Sequence, residues 1–274
     1  MKFLVLLLVA LILLWTPWRT GYPRDFLTLW VERTGRLGRE WLALIAVLTL
    51  LLPLGLLLWW LEGLAYGLFT LLLHVGVLLL CVGRQDPLGR MTDDFMAAWQ
   101  RDDLAAAGLV AEQQLGVSAE QADELPALVR GRVVAASLQD YFAPAFWYLL
   151  LGPLGALAWR LLLLLSQRSP LTAARPAAML THALEWIPAR LLSLSFALVG
   201  QFDSTLRTLR SLATDWDLPG SELVTRCARA ALAETLPEPI PVAESNNILT
   251  DTRQLVFRAI LTWAVVVAFL SMLG

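Results

Sequence analysis

The sequence predicts an all-α, polytopic membrane protein with a helical cytoplasmic region and one membrane helix broken by glycine and proline. First, 58% of the 274 residues are hydrophobic and only 16% are charged, whereas soluble domains are about 25% charged. Second, several apolar segments reach the roughly 20 residues that a helix needs to cross a bilayer. Third, the apolar stretch Tyr141 to Leu165 contains prolines and glycines that a soluble core helix tolerates poorly.

Charge and cysteine usage exclude several classes of function. The net charge of −2 provides no concentrated basic face for nucleic acid. Lys2 is the only lysine, which excludes a P-loop and an interior Schiff-base lysine. Cys81 and Cys227 lie far apart without a CxxC spacing, so neither a disulfide nor a zinc framework is predicted. We expect no cofactor and no metal.

Residues 1–83 predict an N-terminal anchor followed by a transmembrane hairpin. The run Met1 to Trp15 has the shape of a signal peptide but lacks a small-x-small cleavage site, so we expect an uncleaved anchor that spans the bilayer or lies tilted at its surface. Trp41 to Trp60 and Leu64 to Gly83 are both long enough to span. The hairpin carries tryptophans at headgroup depth, where such rings are enriched: Trp41, Trp59 and Trp60.

Residues 84–141 predict a helical cytoplasmic region, because alanine is abundant and apolar residues recur at helical spacing. Asp102 or Asp103 can cap the second of its helices. These helices either pack on each other and on the membrane part, or dock a partner protein. Asp102, Asp103, Phe95 and Trp99 are the candidate partner contacts.

Three further segments follow along the chain. Residues 142–200 combine the broken membrane helix with an amphipathic helix, predicted from His182 to Gly200, that contains a Pro-Ala-Arg-Leu motif. Residues 201–254 form a polar region with a proline-rich linker at Leu236 to Asn247, and residues 255–274 form a last transmembrane helix. Arginines near the span ends put both flanks of the hairpin in the cytoplasm. The second half either crosses twice between residues 142 and 200 or bends back at Gly152 and Pro153.

Ionisable side chains at membrane depth are candidates for function, because each costs roughly 2.5 to 3.5 kcal/mol to insert. Four qualify: Arg160, Glu185, Arg190 and Arg258. One alternative pairs Arg160 with Glu185, or lets the arginines reach lipid phosphates. The other is a polar pocket for an anionic or amphiphilic ligand. For that pocket the candidate residues are Gly152, Pro153, Gly155, Arg160, Glu185 and Arg190.

The sequence contains little that indicates a metal site or a catalytic site. His182 and Glu185 stand at the i, i+3 spacing that carboxylate-bridged metal sites use, but no second such pair exists in the sequence. His74 and Cys81 share a helical face and are expected to be packed in the bundle or buried in the membrane. The sequence contains no GxSxG, HExxH or GxGxxG motif.

Three blocks carry a family resemblance: RDDLAAA at Arg101 to Ala107, FAPAFWYLLLGPLGALAWR at Phe142 to Arg160, and EWIPARLLSLSFALVG at Glu185 to Gly200. The chain resembles the membrane-protein family that joins AmpE, a regulator associated with β-lactamase induction, to CobD/CbiB, the cobinamide-phosphate synthase of cobalamin biosynthesis. The resemblance implies a bacterial inner-membrane location and contact with membrane lipids.

Departures from the synthase pattern separate the two branches. Where the resemblance would place an Asn-Thr-Leu-Asp signature, the chain has Leu163, Leu164, Leu165 and Ser166, and Thr181 with His182 replace an acidic pair. Leucine cannot hold Mg²⁺ or phosphate. We therefore expect a non-enzymatic signalling or accessory protein similar to AmpE. The alternatives are a CobD-type membrane enzyme and a small-molecule or lipid-binding protein.

Overall fold

A computed structural model of the protein describes residues 2–15, 26–35, 40–61, 67–83, 86–87, 90–121, 124–168, 171–233 and 242–273. These residues form helices and no β-strand, as the sequence predicts. The α-helices are α1 (Lys2–Trp15), α2 (Phe26–Thr34), α3 (Glu40–Leu48), α4 (Leu51–Leu61), α5 (Leu68–Cys81), α6 (Asp93–Gln100), α7 (Leu104–Val110), α8 (Leu125–Ser137), α9 (Ala143–Leu151), α10 (Pro153–Arg168), α11 (Leu171–Val199), α12 (Phe202–Leu212), α13 (Gly220–Ala231) and α14 (Val242–Leu273). Short π-helical turns occupy Ala111–Leu115 and Leu138–Phe142.

The helices divide into two compact units. The first unit contains residues 1–84, 140–185 and 270–274, and the second contains residues 85–139 and 186–269. In the first unit α10 is the central helix, because it packs against α2, α3, α4, α5 and α9. Its leucines from Leu161 to Leu165 are all buried, so an almost uniformly apolar helix has found protein contacts around most of its circumference.

Two helices in the described residues are long and apolar enough to cross a bilayer, Trp41–Leu61 and Leu249–Met272. The first is interrupted by a turn at Thr49 and Leu50. Pro53 explains the turn, since proline provides no N–H for the Thr49 carbonyl and its ring crowds that oxygen. The Leu52 N–H bonds the same oxygen at 3.1 Å.

The remaining predicted hairpin segment and the N-terminal anchor are shorter. Leu64 to Gly83 was predicted as a full span, whereas the described helix runs from Leu68 to Cys81 and has 14 residues. Residues 62–66, which include the predicted hairpin tip, lie outside the described residues. The anchor is also a helix of 14 residues, Lys2–Trp15.

The second unit has its own apolar core, which contains Phe95 and Trp99 from α6. Their rings stack with centroids 5.7 Å apart, and both side chains are almost fully buried. The predicted candidate partner contacts Phe95 and Trp99 are thus core residues that pack within the helical region. Asp102 and Asp103 are exposed, and the Asp103 carboxylate accepts from the Ala106 N–H at 3.0 Å, which confirms the predicted cap.

The structure fixes two helix boundaries in these segments. The helix that contains the segment His182 to Gly200 begins at Leu171, because alanine and leucine before His182 favour helix despite Pro176. The predicted linker Leu236 to Asn247 is helical from Val242 onward, where alanine and glutamate extend α14 toward its N-terminus. The rest of that linker, up to residue 241, lies outside the described residues.

Candidate functional site

The predicted break in the membrane helix is present at Gly152. Helix α9 ends at Leu151, Gly152 adopts φ 69° and ψ −158°, and α10 begins at Pro153. The residue before a proline is driven out of the α region, and this combination of dihedrals is open essentially to glycine alone. The pair Gly152 and Pro153 therefore stops one helix and starts the next within a single residue.

The two helices fold back on each other as a hairpin. A Cβ on Gly155 would lie 2.5 Å from the Trp147 carbonyl oxygen, so only glycine allows this close approach. Farther from the turn, Ala143 at the start of α9 packs in one buried cluster with Trp159 and Leu163 of α10. The hairpin thereby brings residues that precede Gly152 into contact with residues that follow it.

A buried ion pair joins the two arms of this hairpin. The Arg160 Nη1 lies 3.1 Å from the Asp140 Oδ1, and the two residues are only 9% and 7% exposed. Asp140 belongs to the π-helical turn Leu138–Phe142, a distortion that is often found at functional sites. The alternative pairing of Arg160 with Glu185 is wrong: Glu185 is buried, but the ion-pair partner of Arg160 is Asp140.

Gly83 closes the space beside Asp140. Its backbone N–H donates to the Asp140 carbonyl at 3.3 Å. A Cβ on Gly83 would lie 1.8 Å from the Asp140 Cγ, which is far inside van der Waals contact. The carboxylate thus occupies the volume that any other residue at position 83 would fill.

Two backbone carbonyls of the hairpin accept hydrogen bonds from donors that are distant in the sequence. A proline within a helix leaves the carbonyl four residues before it without its usual N–H donor. Pro144 does this to Asp140, whose carbonyl accepts from the Gly83 N–H. Leu149 lies in the last turn of α9, where carbonyls have no donor within the helix, and its carbonyl accepts from the Lys2 Nζ at 2.6 Å.

The Pro-Ala-Arg-Leu motif repeats this arrangement in α11. Pro188 provides no N–H for the Leu184 carbonyl. The indole Nε1 of Trp147, from α9, donates to that oxygen at 3.2 Å. Trp147, from the block Phe142 to Arg160, therefore binds an acceptor that a proline leaves open, one residue before the block Glu185 to Gly200 begins.

A second polar contact lies within the first unit. The His74 Nδ1 is 3.0 Å from the Tyr148 hydroxyl, and the two rings meet edge to face. Tyr148 is completely buried, so this contact satisfies a hydroxyl that would otherwise be costly to bury. His74 is therefore a packed histidine, as the sequence predicts.

The Arg160 guanidinium is only partly satisfied in the described residues. Its Nη1 binds Asp140, but its buried Nε has no hydrogen-bond partner there. A buried ion pair gains little net free energy, whereas removal of one partner costs about 3 to 5 kcal/mol. The pair is consequently a strong constraint on how the hairpin closes, and the Nε–H is a donor available to a small acceptor.

Arg190 has a structural role in the second unit. Its Nε and Nη2 donate to the carbonyls of Ala213 and Asp215 at 2.7 and 3.0 Å, and its guanidinium lies 3.7 Å from the centre of the Trp186 ring. Burial lowers the pKa of Arg190 and Asp215 opposes that shift. The Ala213 carbonyl lies directly after α12, so Arg190 satisfies acceptors that a helix end leaves open.

The structure thus sorts the predicted ligand-binding residues. Gly152, Pro153 and Gly155 form the turn, Arg160 is held by Asp140, and Glu185 is buried in the same unit. Arg190 belongs to the second unit, where it binds the carbonyls of Ala213 and Asp215. Sequence reasoning missed Asp140 and Gly83. A usable signal was present for Asp140, since it precedes the Gly152 turn and Arg160 follows it, so that a hairpin at Gly152 brings the two segments together.

These features define an all-helical protein with membrane-type apolar helices and a proline-shaped hairpin that holds a buried Asp-Arg pair. Residues 25–274 match the family described as "Regulatory signalling modulator protein AmpE", and the chain belongs to that family. A segment of 101 residues is 32% identical to "Cobalamin biosynthesis protein CobD" of Stutzerimonas stutzeri (strain A1501), covering 35% of this chain and 33% of the relative. The match thus spans about a third of that relative's length. No solved structure matches the chain.

Proposed function

We propose that this chain is a multi-pass inner-membrane signalling protein that modulates the response to β-lactam or cell-wall stress and catalyses no reaction itself. The family to which it belongs is described as a regulatory signalling modulator. The observation that carries the non-enzymatic part of the proposal is the packing of the residues at the positions where the resemblance would place a synthase signature.

Those positions are occupied by core residues. Leu163, Leu164 and Leu165 are at most 3% exposed. The Ser166 hydroxyl donates to the Leu163 carbonyl, and the buried Thr181 hydroxyl donates to the Ala177 carbonyl, both at 2.8 Å. Leucine side chains packed in a core have no group to offer Mg²⁺ or a nucleotide, and the two hydroxyls do not supply the negative charge of a carboxylate.

The membrane location is supported by the surfaces of the two candidate spans. Leu52 and Trp59 on the first helix and Val265 and Met272 on the second are between 68% and 86% exposed. Apolar surface of this extent is unusual in soluble proteins. A lipid environment would cover it.

The acidic corner at Asp102 and Asp103 supports contact with a partner protein. Both carboxylates are exposed, and the neighbouring Leu104 is 41% exposed. Asp102 has φ 58°, which asparagine and aspartate tolerate better than other non-glycine residues. An exposed apolar side chain beside two fixed charges is the composition of a small docking surface.

The experiment that tests the signalling role is complementation of a strain from which the chain is deleted, with β-lactamase induction as the readout. Wild type should restore induction. The double change Asp102→Asn and Asp103→Ser removes both charges but keeps the tolerated φ and the helix cap. We expect it to lower induction, whereas the exposed control Asp217→Asn should behave as wild type. No change in induction on deletion would contradict the proposal.

A second candidate function rests on the partial match to the cobalamin biosynthesis protein. If the chain acts in that pathway as an enzyme, it should rescue growth of a cobalamin-requiring strain and bind a nucleotide in the presence of Mg²⁺. We expect neither, because the packed leucines and the hydroxyls of Ser166 and Thr181 supply no carboxylate at those positions. Rescue together with nucleotide binding would replace the signalling proposal with the enzymatic one.

A further inference from the structure

A polar cavity of about 380 Å³ lies in the second unit beside the start of α14. One wall is formed by the ends of α11 and α13, at Gly200 and Ala231. The other wall is a face of α14 that carries Asp251, Gln254 and Arg258. These residues stand at i, i+3 and i+7, so they line one side of the helix.

The polar side chains of this face have no assigned role in the fold. Asp251, Gln254 and Arg258 are all exposed, and their side chains make no hydrogen bond or ion pair with the rest of the chain that the structure describes. Arg190 and Arg253, by contrast, bind carbonyl, hydroxyl or carboxylate oxygens of the chain. The cavity thus offers a cation, an anion and an amide to a ligand.

The wall formed by the ends of α11 and α13 is tightly packed. A Cβ on Gly200 would lie 2.7 Å from the Ala231 carbonyl oxygen and 2.8 Å from the Ala231 Cβ. The Gln201 N–H donates to that same carbonyl at 2.9 Å. Glycine at position 200 therefore allows the two helix ends to touch, and this contact forms the wall of the cavity opposite α14.

The charges along α14 follow a definite order. Asp251 precedes Arg258 by seven residues, which corresponds to about 10 Å along the helix axis. Arg258 lies next to the strongly apolar part of the candidate span, where Leu261 and Val265 are exposed. The anionic group therefore stands farther from the apolar surface than the cationic group.

We propose that this cavity binds the headgroup of a zwitterionic aminophospholipid, with its phosphate on Arg258 and its ammonium group toward Asp251. In such a lipid the phosphate lies nearer the acyl chains than the amine, which is the order that α14 provides. The carboxyl ends of α11 and α13 also line the cavity, and their partial negative charge favours an ammonium group. The inference rests on the membrane location proposed above, because α14 must be embedded for the acyl chains to cover Leu261 and Val265.

The test is lipid binding to the full chain in detergent, measured by native mass spectrometry with phosphatidylethanolamine and phosphatidylglycerol as probes. One arginine at a membrane surface contributes about 1 kcal/mol to lipid attraction, or about fivefold in affinity. We expect Arg258→Gln to weaken both lipids about fivefold. Asp251→Asn should weaken phosphatidylethanolamine alone and remove the preference for it. The exposed control Arg207→Gln should bind as wild type.

Three results would overturn the inference. Binding by Arg258→Gln and Asp251→Asn that equals binding by the control would show that the cavity is not the lipid site. Displacement of lipid by millimolar inorganic phosphate, with no effect of Asp251→Asn, would assign it to a free phosphate. Alkaline carbonate extraction separates this failure from that of the proposed function: release of the chain from membranes overturns both, whereas retention with unselective binding overturns only the lipid site.

Discussion

Gly83 and Asp140 are fitted to each other through both backbone and side chain. The Gly83 N–H donates to the Asp140 carbonyl at 3.3 Å, and the Asp140 carboxyl group fills the space where a Cβ at position 83 would lie. Since Asp140 also holds Arg160, the absence of one side chain at the end of α5 controls how the α9–α10 hairpin closes.

Gly83→Ala should destabilise the protein strongly. The added methyl group must displace the Asp140 carboxylate and break its pair with Arg160, a loss of about 3 to 5 kcal/mol. Gly76→Ala, within α5, is the control, because nothing lies within 4 Å of its Cβ position and alanine favours helix by about 0.5 to 1 kcal/mol over glycine. Thermal unfolding in detergent, followed by tryptophan fluorescence, compares the two. Equal melting temperatures would contradict the close fit.

The Asp140 and Arg160 side chains should be strongly coupled. Asp140→Leu and Arg160→Leu each remove this buried ion pair and should each cost about 3 to 5 kcal/mol, and because both remove the same pair, the double variant should cost less than the sum of the two. A double-mutant cycle on unfolding free energies measures this coupling. Additive losses would mean that Arg160 is stabilised by something other than Asp140.

Trp147→Phe should remove the donor to the Leu184 carbonyl and cost about 1 to 3 kcal/mol. Adding Pro188→Ala restores a backbone N–H at position 188, which can bond that carbonyl within α11. We therefore expect the second change to reduce the cost of the first. Trp60→Phe, at a 65% exposed position, is the control for loss of an indole. If Pro188→Ala gives no rescue, the proline is not the reason why Trp147 binds there.

Cys227 should be unreactive while the protein is folded. Burial raises the pKa of its thiol above the ordinary value of 9.0, and the nearby Ser193 side chain opposes the shift only in part. Because the folded-state pKa is the higher one, its contribution to stability is complete below pH 9 and is lost as the pH rises through the folded-state pKa. Iodoacetamide labelling of the Cys227 peptide should be slow at pH 7 and pH 9 and fast after unfolding. Rapid labelling of folded protein at pH 9 would contradict the burial.

The sequence was a good guide wherever a local rule applied. Gly152 before Pro153 predicts a break by steric exclusion alone, and Asp103 before an alanine-rich run predicts a cap. The ion pair was assigned to the wrong acid, because Glu185 lies in an apolar segment and draws attention while Asp140 lies at the edge of a polar one. Local pattern does not contain the hairpin geometry that brings Asp140 to Arg160.

Arg190 shows a different limit of sequence reasoning. An arginine in an apolar helix reads as a ligand group, but its acceptors at Ala213 and Asp215 are more than twenty residues away in a loop. Residue types do not show which backbone carbonyls a helix end leaves without a donor. Phe95 and Trp99 were ambiguous for a similar reason, since helical spacing shows that two side chains share a face but not what covers it.

The three carbonyls that accept from distant donors impose an order on assembly. Asp140 and Leu149 take their donors from residues 83 and 2, which are synthesised first, while the Leu184 oxygen binds Trp147 only after α11 exists. These three acceptors of the first unit are therefore all satisfied only after α11 has been synthesised, whichever helices form before it.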